Sequence, residues 1–193
     1  MLRSTAALLR EYGASATSID RVLAHSGAPR GSVYHHFPGG RTQLVEEAVR
    51  LAGSFMAGVI DTAMQADDPV EAIDTFFTVW RDRLVESSFR AGCPIVAVAV
   101  ETNDEAPQLV RTAGAVFAGW QDAFTALFRR HQIPEDRGRR LAALIVAAEE
   151  GAVVMGRAQQ STEPIEAVAA EIHDLLIHTL STTRPATDTV SRP

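Results

Sequence analysis

Prolines 69, 94, 107, 134 and 164 each head a segment whose apolar residues recur at helical spacing, and this recurrence is the tightest constraint on the fold. Proline suits the first turn of a helix because its missing N–H would be unpaired there and its φ is already helical. Behind Asp68–Pro69, the residues Ile73, Phe76, Phe77, Trp80 and Leu84 fall on one helical face. The same pattern predicts helices over 107–132, 134–160 and 164–182. A longer one is predicted over 41–66, with Leu44, Ala48, Leu51, Phe55, Val59 and Ala63 stepping down one face. Ile95–Val100, β-branched residues alternating with alanine, reads locally as a buried strand. No other segment offers it a partner, and a lone buried strand would leave its backbone groups unpaired, so a short buried helix is expected there. The fold class is therefore all-α.

The first 45 residues divide more finely. Leu2–Tyr12 is a short helix stopped by Gly13. Thr17 with Asp20 three residues on reads as a capping box opening a second helix, which ends at Ser26–Gly27. Pro29 then starts a third helix that runs to about Phe37 and stops at Pro38–Gly39–Gly40. Two short helices joined by a tight glycine turn make the helix-turn-helix layout, whose second helix enters the major groove and meets base edges with its N-terminal residues.

The residue types fit that use. Arg30 can donate a bidentate pair to guanine O6 and N7. Gly31 leaves room for close approach, and Ser32 can bond a base or a phosphate. Tyr34, His35 and His36 can reach phosphates, and Thr17 caps a helix whose free N–H groups can take one. Arg41 can contact the backbone alongside. Val33 and Phe37 have the spacing to pack inward. Charge supports the division, because residues 1–45 carry +3 while the chain as a whole carries −6, leaving −9 on the rest. A small basic front end on an acidic body points to contact with a polyanion.

Other classes are excluded on composition and motif. No apolar stretch reaches the roughly 18 to 20 residues of a membrane span. Arg10 and Glu11 interrupt what would be a signal peptide. The one cysteine, Cys93, allows no internal disulfide and suits a reducing cytoplasm; it reads as a buried small side chain. His173 and His178 are five apart and do not share a helix face, so no metal site is expected. No phosphate loop, dinucleotide fingerprint or nucleophile elbow is present, so neither a cofactor nor an enzyme is expected. The polar tail, residues 184–193, is expected to be disordered.

The run TSIDRVLAHSGAPRGSVYHHFPGG resembles the DNA-binding domain of the TetR family of bacterial transcriptional regulators. The wording GAPRGSVYHHFPGGRTQL, with GCPI and EEGAVVMGRA further on, is most similar to the LmrA/YxaF-like branch. The resemblance spans almost the whole chain. It implies a nine-helix homodimer, cytoplasmic, that a small ligand releases from operator DNA. It implies a DNA-binding domain over 1–45 and a ligand-binding and dimerisation domain over 46–183. It also implies several residues, often basic, ahead of the first helix, where Met1–Leu2 stands here; such an arm would add phosphate contacts.

A ligand cavity among the fourth to eighth helices is part of what the resemblance implies. Phe55, Met56 and Val59, Phe76, Phe77 and Trp80, and Phe117, Trp120 and Phe124 are the candidates to line it. Aromatic walls favour flat hydrophobic ligands over sugars or ions. Two further stripes, Leu144, Ile145, Ala148, Ala152 and Met155, then Ile165, Val168, Ile172, Leu175 and Leu176, are expected to pair two subunits in a four-helix bundle. The expected function is a ligand-responsive repressor that binds a palindromic operator as a dimer; an activator would use the same contacts. The alternative is a small-molecule-binding or enzymatic helical dimer with a vestigial front end, which would lack salt-sensitive DNA binding.

Overall fold

The computed structural model describes residues 1–65, 67–102 and 106–183. Among them are nine helices and no strand: α1 (Leu2–Tyr12), α2 (Ile19–Ser26), α3 (Arg30–His36), α4 (Gly40–Ala63), α5 (Pro69–Glu86), α6 (Pro94–Glu101), α7 (Pro107–Arg130), α8 (Glu135–Gln159) and α9 (Glu163–Thr183). The proposed tail at 184–193 lies outside the described residues. No helix among the described residues is long and apolar enough to cross a membrane.

The prolines mark helix starts as their chemistry predicts. Pro69, Pro94 and Pro107 occupy first-turn positions, and Asp68 Oδ1 accepts from the Val70 N–H at 2.8 Å to cap α5. Pro134 stands one residue earlier, as the N-cap of α8. The ambiguous apolar run is the helix α6, with Pro94, Ile95 and Val98 buried and Val100 facing outward.

Two apolar clusters organise the packing. The small one joins Leu8 of α1, Val22 of α2, Phe37 at the C-terminal end of α3, and Leu44 of α4. The large one runs from Leu9 of α1 through α4, α5, α6, α7 and α8 to Leu176 of α9. Consecutive residues Leu8 and Leu9 thus serve different clusters, so α1 is wedged between the front end and the body. The predicted face of α4 is corrected: Leu44, Ala48 and Ala63 are buried as expected, but Leu51 and Phe55 are exposed. The buried stripe instead follows Val45, Val49, Met56 and Ile60. A 24-residue helix touched by α1 on one flank and α7 on the other buries more than one stripe, and periodicity alone does not say which apolar residues fall between the flanks.

Candidate DNA-binding surface and ligand cavity

The turn between α2 and α3 forms because Gly27 takes φ 68°, the left-handed conformation in which a Cβ is unfavourable. Val33 and Phe37 are buried and fix α3 against its neighbours. Pro29, Arg30, Gly31, Tyr34, His35 and His36 are all exposed, and a Cβ on Gly31 would meet no other atom within 4 Å. Pro29 is the N-cap rather than the first helical residue, with Arg30 starting the helix. Arg30 is paired with Asp20 of α2, and both side chains are largely solvated. An exposed pair of this kind contributes only about 0–1 kcal/mol, so it pre-positions Arg30 without locking it away from a base.

Three of the nominated DNA contacts are spent inside the protein. Thr17 is buried and its hydroxyl donates to the Gly13 carbonyl at 2.7 Å, so it neither caps α2 nor reaches solvent. The cap is the next residue, Ser18, whose Oγ accepts from the Arg21 N–H at 3.2 Å. Arg41 turns back on the α1–α2 turn, donating from Nε to the Thr17 carbonyl at 2.9 Å and from a terminal nitrogen to the Ala14 carbonyl. It clamps the start of α4 to the front end instead of presenting its charge outward. Ser32 is half-buried and donates to the Pro29 carbonyl at 2.7 Å, a local closure of the first turn of α3.

A joint that periodicity does not reveal ties α1 to the body. The Gly92 N–H donates to the Arg10 carbonyl at 2.9 Å, and Arg10 Nε returns a bond to the Gly92 carbonyl at 3.2 Å. From α8, Arg157 donates to the carbonyls of Arg10 at 3.3 Å and Glu11 at 2.7 Å. Glu101 at the end of α6 accepts from the Ser15 N–H at 2.7 Å. Gly13, between them, has φ 85°, and a Cβ there would overlap the Glu101 carboxylate. Arg90 completes the set by pairing with Glu11. The C-terminal end of α1 is thereby held by three separate parts of the body.

Above this joint lies a cavity of about 390 Å³ bounded by α1, α4, α5, α6 and α7. Of the nominated ligand contacts, Phe55, Met56, Trp80 and Trp120 line it. Phe76, Phe77 and Phe124 do not; they pack edge to face with centroids 5.8 and 5.1 Å apart, filling the core. Phe117 stacks on the edge of Trp120 at 5.6 Å, and Val59 belongs to a separate shallow groove on the α4–α5 surface. The sequence reading missed Arg3, Arg10 and Arg83 in the lining. Arg83 lies over the Phe55 ring, 4.7 Å from its centroid.

The dimer stripes need a comparable correction. Ile145, Ala152, Ile165, Ile172 and Leu176 are buried within their own subunit, where α8 packs on α7 and α9 on α5 and α8. Val168 and Leu175 are half-covered. Leu144 and Met155 remain exposed and Ala148 half-exposed; Val154 and Ile177, not nominated, join them on the open surface. His173 Nδ1 lies 2.8 Å from Asp74 Oδ2, an ordinary surface pair. Among the described residues no cluster of His, Cys, Asp and Glu suits a metal ion.

Comparison with known proteins gives these surfaces a family. Residues 1–48 match the family described as bacterial regulatory proteins, tetR family, and residues 69–171 match transcriptional regulator LmrA/YxaF-like, C-terminal domain. The chain is 44% identical over 182 residues to an uncharacterised HTH-type transcriptional regulator of Mycobacterium tuberculosis, covering 92% of each. A regulatory protein TetR from Rhodobacter sphaeroides shares the fold at TM-score 0.82, with 20% identity over 90% of this chain and 95% of that one. The regulator CifR, solved as a cysteine double mutant with 26 bp of double-strand operator DNA, aligns at TM-score 0.73 and 18% identity over 90% and 93%. The chain belongs to the TetR family of DNA-binding transcriptional regulators, with a C-terminal domain of the LmrA/YxaF-like type.

Proposed function

We propose that the chain is a ligand-responsive repressor that binds a palindromic operator as a homodimer and is released by a small apolar or aromatic molecule. The observation that carries this reading is the path from α3 to the cavity. The exposed face of Arg30, Gly31, Tyr34 and His35 sits on a helix anchored through Val33 and Phe37. That front end is clamped by Arg41 to α4, and α4 lines the cavity through Phe55 and Met56. Residues 1–45 act as the DNA-binding domain and 46–183 as the ligand-binding and dimerisation domain.

The proposed mechanism is a shift between two dimer states. In one, the two recognition helices lie about one DNA turn apart, roughly 34 Å, and match two half-sites. A ligand in the cavity touches α1 and α4 together, so a ligand that fits the other state better displaces the front end and breaks the spacing. Its differential affinity for the two states, not its tightness, sets the extent of release. The surface offered to the second subunit is that of Leu144, Ala148, Val154 and Met155 on α8 with Ile177 on α9. Gly151, exposed on the same helix, lets the partner helix approach closely.

Selection from a pool of randomised duplexes tests the reading. An enriched inverted repeat with half-sites about one turn apart is expected. A pool that stays unenriched, while the protein still binds small molecules, would overturn it in favour of a ligand-binding dimer with a vestigial front end.

A further inference from the structure

The cavity walls are largely apolar, yet three arginines stand in them, Arg3 exposed and two others half-buried without a paired carboxylate. Arg10 comes from α1 and Arg83 from α5, and both are half-buried. Among the described residues neither forms an ion pair. Arg83 donates no hydrogen bond there, and its Nε is buried without a partner. Arg10 uses Nε on the Gly92 carbonyl, leaving its terminal nitrogens free of partners among the described residues. Trp80, almost fully buried in the same wall, has an indole N–H with no acceptor. Burial makes the charged form of both arginines less favourable, and the charge of Arg83 adds to this at Arg10; only Glu86, at longer range, eases it at either residue among the carboxylates.

Two neighbouring, partly desolvated cations with unused donors are costly unless something offsets them. The aromatic contact of Arg83 with Phe55 offsets part, but a cation over a ring contributes only about 0.5–2 kcal/mol and satisfies no N–H. An oxyanion answers both deficits at once, because the guanidinium fork presents paired donors at carboxylate spacing. The remaining lining, Met56, Trp80, Ile95 and Trp120, accepts an apolar body. At about 390 Å³ the space falls in the range used by drug-sized ligands.

We propose that the cavity takes an amphipathic monocarboxylate, its aryl or alkyl body against Trp80 and Trp120 and its carboxylate shared by Arg10 and Arg83. This narrows the ligand class of the effector site and rests on reading that cavity as one. It also assigns the carboxylate a mechanical part. Arg10 belongs to the helix wedged under the front end, Arg83 to the body, and one anion bridging them fixes α1 against α5.

The chain has two tryptophans, Trp80 and Trp120, and both line this cavity, so intrinsic fluorescence reports on it directly. The full-length protein is titrated with phenylbutyrate and, separately, with its neutral amide, in the absence of DNA. Binding of the acid at least about tenfold tighter than the amide is expected, as for a charge-assisted pair over a neutral one. Arg83→Gln and Arg10→Gln should each erase that preference by weakening the acid about tenfold more than the amide, and Arg83→Lys should keep part of it. Equal affinity for acid and amide in the unmodified protein, no response to either, or a preference that survives both glutamine variants would overturn the proposal. The unmodified protein alone decides the first two, so a variant that fails to fold does not spoil the test. Duplex selection reads the regulator assignment independently of this titration.

Discussion

Glu149 and Glu150 stand side by side on α8, buried, with no hydrogen-bond partner for either carboxyl among the described residues. The Cys93 thiol is beside Glu150 but outside hydrogen-bond geometry. Burial raises the proton affinity of both carboxyls, Glu150 to about 7 and Glu149 well above the carboxylate range, where repulsion from Glu150 adds to it. Against an ordinary value of 4.5, a folded value of about 7 means that the native state keeps a proton the unfolded chain has released. The stability tied to Glu150 is therefore fully present below about pH 4.5 and declines as pH rises to about 7. At about 1.4 kcal/mol per unit this loss is about 3 kcal/mol, and Glu149 extends the decline to higher pH. Glu150→Gln matches the protonated side chain in shape and has no charge to desolvate. It should unfold like the unmodified protein near about pH 4 and be about 3 kcal/mol more stable at about pH 8. Urea unfolding followed by far-UV circular dichroism across that pH range, at unchanged m value, measures the difference. A stability difference that does not vary with pH, or a variant weaker than the unmodified protein at the alkaline end, would refute the reasoning.

Three shorter predictions concern the front end and the core. Arg30→Ala should cost about 1–3 kcal/mol of operator binding, concentrated at one base position; a uniform loss across sequences would make Arg30 a phosphate contact. Arg41→Ala removes two charge-assisted bonds to the α1–α2 turn and should lower the urea midpoint by about 1–3 kcal/mol of stability; an unchanged midpoint with weaker DNA binding would return Arg41 to the phosphate role. Cys93 is buried, and burial followed by the adjacent Glu150 holds its thiol well above the usual range. Alkylation by iodoacetamide should accordingly be slow in the folded protein and fast in denaturant; rapid labelling of the native state would contradict its placement.

Helix starts were readable from sequence because proline and the Asp68 cap act within one turn, and the turn at Gly27 because a left-handed residue is a local requirement. Side-chain destination was less readable. Thr17 and Ser18 are both hydroxyl residues one position apart, and only packing against α1 decides that Thr17 faces inward and Ser18 caps. Arg41 looked like a surface cation because the carbonyls it clamps lie 24 and 27 residues earlier. Arg10, Arg157 and Glu101 escaped notice for the same reason: their partners lie 82 to 147 residues away, and no periodicity links them. The stripes on α8 and α9 were correctly apolar, but an apolar stripe marks burial without naming what covers it. Here Ile145, Ile172 and Leu176 are covered by the subunit itself.

The most direct test of the central claim is a mobility shift of the full-length protein on the DNA upstream of its own gene, across a salt series. If α3 and its symmetry mate occupy two half-sites with six to ten phosphate contacts between them, binding should saturate and its affinity should fall with a log–log slope of roughly −5 to −9. Failure to shift that DNA or any selected duplex at low salt would contradict the account.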